Sequence, residues 1–129
     1  MVYAGWCALH GMKESQMQRY LISFDDGAMD HITDDDLPAV SEVTHAVVQE
    51  AKDAGVWIFG GGIVRQRATL VYADGAVTQG PVPETKAVIG GFAIIEVPSR
   101  ADALNWATRI ARACRCAQEI REIFYDPES

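Results

Sequence analysis

The sequence predicts a single α+β domain, in which an antiparallel sheet packs against two helices. Six short segments have the composition of strands, and two longer segments repeat apolar residues with the period of a helix. The 129 residues, 49% hydrophobic and 22% charged, are typical of one globular domain. In residues 1–16 the apolar residues repeat with neither the period of a helix nor that of a strand, and another methionine follows at position 17. We therefore expect an N-terminal extension over residues 1–16, the domain over residues 17–125 and a tail over residues 126–129.

The predicted strands are bounded by glycine, proline and aspartate, which favour turns. Asp74-Gly75 lies between two of the strands and is typical of a tight hairpin. Gly60–Gly62 is expected to interrupt another strand, where it allows a bulge or the close approach of a second backbone. The strands are predicted over residues 19–24, 56–59, 68–73, 76–78, 91–97 and about 117–124.

The two predicted helices have recognisable ends. The first covers residues 37 to about 54: aspartates and Pro38 begin it, because unpaired N–H groups there favour negative charge, and Gly55 ends it. The second follows Ser99, which forms an approximate capping box with Asp102. The apolar stripes expected on these helices are Val40, Val43, Val47, Ala51 and Ala54 in the first and Ala103, Trp106, Ala107, Ile110 and Cys114 in the second.

With the hairpin set aside, the element order is βαββαβ, the ferredoxin-like plan of an antiparallel sheet with helices on one face. Two helices cover only one face of such a sheet. Two of its strands are nevertheless apolar on both faces, because Trp57 and Phe59 alternate with Val56 and Ile58, and residues 91–97 behave in the same way. The uncovered face therefore needs a partner, and we expect a face-to-face homodimer.

The composition excludes several classes of protein. Eighteen acidic against eleven basic residues give a net charge of −7, which repels nucleic-acid backbones and anionic membranes. No apolar run approaches the roughly 18 residues of a membrane helix, and the first residues do not resemble a secretory signal. Three cysteines do not suggest a disulfide framework. We expect a cytoplasmic protein that binds neither nucleic acid directly nor a membrane.

The segment from Gly80 to Phe92 carries a recognisable motif. It resembles the signature of the YCII-related, or DGPF-domain, family, in which Asp-Gly-Pro-Phe is followed after one residue by Glu-Thr-Lys-Glu and after two more by Gly-Gly-Phe. Gln79, Val82 and Ala87 depart from this pattern, and the first departure removes a carboxylate from the loop. The matching residues are Gly80, Pro81, Glu84, Thr85, Lys86, Gly90, Gly91 and Phe92.

The resemblance implies a ferredoxin-like fold assembled as a dimeric α+β barrel. This agrees with the strands that are apolar on both faces. Some relatives are similar to small lyase-type enzymes that act on chlorinated aromatic rings. Others are encoded with, or fused to, sigma factors. In some relatives the pocket includes a histidine near the first helix and a nearby aspartate.

Two histidines are candidate proton-transfer groups. His31 follows the first strand, is preceded by Asp30 and lies among further aspartates, which would stabilise the imidazolium and fix the tautomer of the ring. An acidic loop that merely caps a helix is the alternative. His45 lies in the first helix, close to the position of the relatives' histidine, although alignment on Pro38 would place that histidine at Val40. His45 also falls opposite the valine stripe, where a solvated surface residue is the alternative.

The charged centre of the motif is a candidate substrate-binding segment. Glu84 and Lys86 could orient a small polar substrate, or they could fix the loop that precedes the paired glycines. We expect a pocket at the dimer whose walls include this segment, the loop after the first strand and Gly60–Gly62.

No metal or cofactor motif is found in the sequence. The spacing of the aspartates after the first strand does not match an EF-hand loop. Cys114-Arg115-Cys116 lacks the second ligand pair of a zinc site, and Gly60–Gly62 lacks the lysine of a phosphate-binding loop. We therefore expect neither a metal nor a cofactor.

Two functions remain open on this evidence. The first is a small cofactor-independent enzyme that acts by acid–base chemistry on a small organic, aromatic molecule. His31, Asp30 and His45 would be its catalytic residues, and Glu84 and Lys86 would bind the substrate. The second is a non-catalytic ligand-binding or regulatory module associated with sigma-factor-linked transcription.

Overall fold

The computed structural model describes residues 17–64, 68–79 and 89–128 of the chain. Strands and helices follow one another in the predicted order. Residues 1–16, expected to be an extension, lie outside the described residues. The bounds of the elements are β1 Gln18–Asp25, α1 Leu37–Asp53, β2 Trp57–Gly62, β3 Thr69–Val71, β4 Val77–Gln79, β5 Ile89–Val97, α2 Arg100–Cys114 and β6 Glu119–Glu122.

Four strands form the main sheet in the order β2-β5-β1-β6, and every neighbouring pair is antiparallel. With β3 and β4 set aside, this is the strand order of a ferredoxin-like βαββαβ fold, so the predicted fold class is confirmed. β3 and β4 form a separate two-stranded sheet around the expected turn, where Gly75 has a φ of 90°. β3 and β6 are shorter than predicted.

The core lies between the main sheet and the two helices. Tyr20 and Ile22 of β1 lie opposite Ile95 and Ala93 of β5, and all four side chains are buried on the helix side. Side chains alternate along a strand, so the intervening residues point to the other face of the sheet. The remaining members of the core cluster are Ala51, Val56, Val97, Ala103 and Ala107.

The predicted helix ends are present, with one difference between the two helices. At the start of α2 the Asp102 amide donates to Ser99 Oγ at 3.2 Å, and the Ser99 hydroxyl donates to the Asp102 carboxylate at 3.1 Å. Asp36 occupies the same position before α1, but its side chain makes no capping hydrogen bond. Gly55 follows the end of α1 with a φ of 76°, the left-handed conformation that glycine adopts readily.

The apolar stripe of α1 differs from the prediction. Val43 is 52% exposed, whereas Thr44 is half-buried and places its hydroxyl 3.8 Å from Cys114 Sγ of α2. The buried stripe therefore follows positions 40, 44, 47 and 51, which are spaced by one helical turn. Ala54 is exposed because it lies beyond the end of the helix. The α2 stripe is as predicted, with each member buried or half-buried: Ala103, Trp106, Ala107, Ile110 and Cys114.

The expectation that Trp57 and Phe59 share one face of the sheet is wrong. The pairing of β2 with β5 shifts between these two residues, so Trp57 lies opposite Ile95 and Phe59 lies opposite Ile94. Because adjacent residues of β5 point to opposite faces, Trp57 packs against the core and Phe59 lies on the other side. The cause is a β-bulge around Ile58, which reverses the alternation.

The glycines of β2 continue the strand rather than interrupt it, since β2 runs through Gly62. The close approach expected at these glycines is present. A Cβ added to Gly60 would lie 2.6 Å from the Phe92 carbonyl oxygen and 2.9 Å from Ala93 Cα. Only glycine therefore allows β2 to pair with β5 at this point.

Candidate functional site

Several chain segments meet at the end of the main sheet where β1 finishes. Asp25 lies opposite Ile89, and Gly62 lies opposite Gly91. The loop after β1, the end of β2 and the start of β5 are therefore together, and β6 begins at the same end because it is antiparallel to β1. Loops at the end of a sheet are common places for a binding site.

His31 lies in the loop between β1 and α1, which is built from successive turns. The Asp30 amide donates to the Gly27 carbonyl at 3.0 Å, and the Ile32 amide donates to the Met29 carbonyl at 3.1 Å. The Ile32 side chain is buried and anchors the loop, while Asp30 and His31 are exposed. The imidazole is therefore on the surface at this end of the sheet; its proposed orientation by the Asp30 carboxylate stays a prediction.

His45 lies on a different surface from His31. It is exposed in the middle of α1, and its Nδ1 is 3.4 Å from Ser41 Oγ. Because the buried stripe of α1 faces the sheet, His45 is on the outer side of the helix layer. The structure does not bring the two histidines into one site.

Glu84 and Lys86 lie outside the described residues, so their roles stay predictions. The described part of the motif shows why two consecutive glycines are needed there. A Cβ added to Gly91 would lie 2.6 Å from Cζ of the Phe24 ring, and one added to Gly90 would lie 2.9 Å from the same ring and from a backbone oxygen of β1. The glycines thus make room for β1, which is a structural role.

The face of the main sheet that the helices leave uncovered has an apolar centre. The rings of Phe59 and Phe92 lie 5.8 Å apart with 51° between their planes, a tilted aromatic pair. Phe59 is 62% exposed, and its apolar neighbours on this face are half-buried. We call this surface the open face. By strand register it carries Leu21 and Ser23 of β1, Phe59 and Gly61 of β2, and Phe92 and Ile94 of β5.

Charged residues border the apolar centre of the open face. Arg19 Nε lies 2.7 Å from the Glu96 carboxylate, between β1 and β5. On β6, Arg121 and Glu119 form a second pair at 3.5 Å. An apolar centre with a charged border is the usual anatomy of an interface.

Ser23 is a feature of the open face that the sequence analysis missed. At 3% exposure it is the one buried polar side chain among the described residues. It lies opposite Phe92 on one side and opposite Glu119 on the other. Within the described part of the chain, its hydroxyl has no hydrogen-bond partner. The signal was available: a serine between Ile22 and Phe24 interrupts an otherwise apolar strand.

Aspartates dominate the charge at this end of the sheet. Residues 25–36 include six aspartates and neither lysine nor arginine. Arg115 approaches one of them, Asp36, at 3.6 Å. Over residues 17–64, 68–79 and 89–128, no group of three or more histidine, cysteine, aspartate or glutamate residues is arranged to hold a metal ion. The local charge favours a neutral or cationic ligand over an anion.

The two described cysteines are shielded thiols. Burial raises the pKa of Cys114, and the hydrogen bond with Thr44 offsets part of this increase. Burial also raises the pKa of Cys116, and the adjacent Cys114 thiol raises it further. A thiol that stays protonated is a poor nucleophile, so neither cysteine is favoured as a catalytic group.

The fold and the open face define a small α+β protein of the ferredoxin-like class. The family model described as the YCII-related domain matches residues 29–125. The chain therefore belongs to the YCII-related family, as the motif from Gly80 to Phe92 indicates. A search of curated proteins gave no match. Neither described helix is long and apolar enough to cross a membrane.

Proposed function

We propose that two copies of this chain bind each other through their open faces and enclose a small, neutral aromatic molecule, on which His31 performs acid–base chemistry without a cofactor. The observation that supports the proposal most directly is the open face itself. A contiguous apolar surface in the centre of a sheet is costly to leave in water. Two sheets packed face to face, about 10 Å apart, would remove it from water.

The charge distribution supports a symmetric pairing of this kind. The Arg19–Glu96 and Arg121–Glu119 pairs border the apolar centre, where they can stay hydrated. Neither pair needs to be buried in the interface, which avoids a large desolvation cost.

The ligand class is supported by the side chains of the open face and of the loop after β1. The tilted Phe59–Phe92 pair offers aromatic surface for a planar ring. The six aspartates of residues 25–36 disfavour a carboxylate or phosphate on that ring. A phenol combines an aromatic ring with a neutral polar group, and it has a proton that a base can remove.

His31 is the residue that we assign to proton transfer. Imidazole is the side chain best suited to this task near neutral pH. The turns around His31 and the buried Ile32 fix the backbone on which the ring is carried. His45 has no comparable position, since it lies on the outer side of α1.

A titration of the protein with 4-methylphenol, followed by NMR of labelled histidine rings, tests this function. The His31 ring resonances should shift in a saturable manner, whereas those of His45 should not move. Saturable binding without a response at His31 would remove its assignment. The complete absence of binding, for this and other phenols, would contradict the ligand class.

Kinetics provide a second test on any phenol that the protein converts. His31→Gln should lower kcat/KM by about 10²–10⁴, the usual effect of losing a general base. His45→Gln is the matched control and should leave kcat/KM unchanged. Equal effects of the two substitutions would contradict the assignment.

A further inference from the structure

We infer that Ser23 is the hydrogen-bonding anchor of an aromatic subsite on the open face, in which the ligand hydroxyl reaches Ser23 and the ring extends alongside Phe92 toward Gly61. The inference rests on the proposed function and deepens it, because it names the residues that would select a phenol over an aromatic molecule without a hydroxyl.

The first argument is the state of the Ser23 hydroxyl. The residue is 3% exposed, and no described residue hydrogen-bonds with its side chain. A buried hydroxyl without a partner is unfavourable, and native proteins rarely keep one without a reason. A polar group of a bound ligand would satisfy it.

The second argument is open space next to that hydroxyl. Gly61 lies opposite Phe92, so both residues face the same side of the sheet. A Cβ added to Gly61 would meet no atom within 4 Å, whereas one added to the preceding Gly60 would collide with the backbone of β5. The space over Gly61 on the open face is therefore unoccupied, next to the strand position of Phe92.

The third argument is the arrangement of the two features. Gly61, Phe92 and Ser23 lie in one row across β2, β5 and β1. Neighbouring strands are about 4.8 Å apart, so Gly61 and Ser23 are about 10 Å apart along the row. A molecule of 4-methylphenol that hydrogen-bonds with Ser23 extends alongside Phe92 and brings its methyl group, rather than its ring, to Gly61.

Access to Ser23 depends on the side chains on either side of it. Phe92 is half-buried and Glu119 is exposed. Rotation of an exposed side chain is fast compared with binding, so movement of Glu119 gives the ligand access to the hydroxyl without a change in the backbone.

The arrangement predicts selectivity for a hydroxyl group. A ligand that lacks the hydroxyl leaves Ser23 unpaired, and a site built around a hydrogen bond rejects such a ligand strongly. The isosteric pair 4-methylphenol and 1,4-dimethylbenzene differs in this group alone.

The test is calorimetric titration of the full chain and of four variants with both compounds. The parent should bind 4-methylphenol at least about tenfold more tightly than 1,4-dimethylbenzene. Ser23→Ala should remove this preference, and Ser41→Ala on the outer side of α1 should keep it. Gly61→Val should weaken the binding of both compounds at least about tenfold, because its side chain occupies the space into which their 4-methyl group extends. Gly62→Val, one residue along the same strand, should not.

The outcomes separate the subsite from the proposed function. If the parent binds 4-methylphenol and the His31 resonances respond, but Ser23→Ala keeps the preference or Gly61→Val binds normally, the subsite is wrong and the proposed function stands. If the parent binds neither compound, both are wrong. Should Ser23→Ala fail to fold, the Gly61→Val and Gly62→Val pair still decides whether the ligand extends to Gly61.

Discussion

Gly60 is a residue at which two backbones of the main sheet approach closely. In Gly60→Ala the new methyl group would meet the Phe92 carbonyl oxygen at 2.6 Å and Ala93 Cα at 2.9 Å, and backbone atoms cannot rotate away. We expect a loss of about 1–3 kcal/mol in the free energy of unfolding, the usual cost of overpacking. Gly62→Ala is the matched control, since its nearest neighbour would be 4.0 Å away. Equal effects in urea unfolding would contradict the described approach of β2 to β5.

Three weakly acidic side chains with raised pKa values predict that alkaline pH destabilises the fold. Burial raises the pKa of Cys114, Cys116 and Tyr20, and Glu122 raises that of Tyr20 further. The folded chain therefore keeps protons that the unfolded chain releases above about pH 8.5 for cysteine and 10 for tyrosine. Below these values both states are protonated, and the effect is absent. The free energy of unfolding should decrease as pH rises through this range.

Cys114→Ala isolates one of these contributions. Its free energy of unfolding should fall less steeply than that of the parent between about pH 8 and 10, because one raised thiol pKa is removed. Any cavity left by the sulfur lowers stability equally at each pH and does not change the slope. Parallel curves for parent and variant would show that Cys114 is not shielded.

Single residues of the site could be predicted from the sequence only where several residues of one type occur close together. The aspartates around His31 and the glycines before Phe92 stand out in the sequence, and both lie at the end of the sheet. Ser23 interrupts an apolar strand in the sequence, but its burial could not be predicted, because it comes from neighbours on β5 and β6 that are distant in sequence. The exposure of Val43 was missed for a related reason: the axis of the buried stripe depends on how α1 packs against α2.

Among the secondary-structure elements, α2 depends on its cap more than α1 does. Ser99→Ala removes the hydroxyl that accepts from the Asp102 amide, and we expect it to cost about 1 kcal/mol. Asp36→Ala is the control at the start of α1, where no capping hydrogen bond exists. Its exposed pair with Arg115 at 3.6 Å contributes little, so its effect should be smaller. Urea unfolding of the two variants that gave the reverse order would contradict these helix starts.

The type and order of the elements were predictable because each has a local signal: alternation, helical period, a capping pair or a turn glycine. The bulge in β2 was not. Trp57, Ile58 and Phe59 are all apolar, so alternation contains no information about which of them faces the core. The hairpin of β3 and β4 likewise had a clear turn signal, but nothing in the sequence indicated that Val71 and Val77 would stay 71% and 62% exposed.

For the whole molecule, the sheet order followed from the element order, since short connections and antiparallel pairing leave few ways to arrange βαββαβ. The motif from Gly80 to Phe92 then indicated the family. The homodimer stays a prediction, and Ile94→Glu tests which face would form it. A glutamate in the centre of the open face would place two unpaired charges in a symmetric interface. We expect a monomer at micromolar concentration. Val43→Glu, on the exposed side of α1, is the control and should keep the mass of the parent.

The mass of the parent chain in solution tests the central claim most directly. Light scattering at micromolar concentration should give twice the chain mass of 14.1 kDa, because the open face would be buried only when a second copy covers it. A single species of 14.1 kDa over the same concentration range would contradict the account.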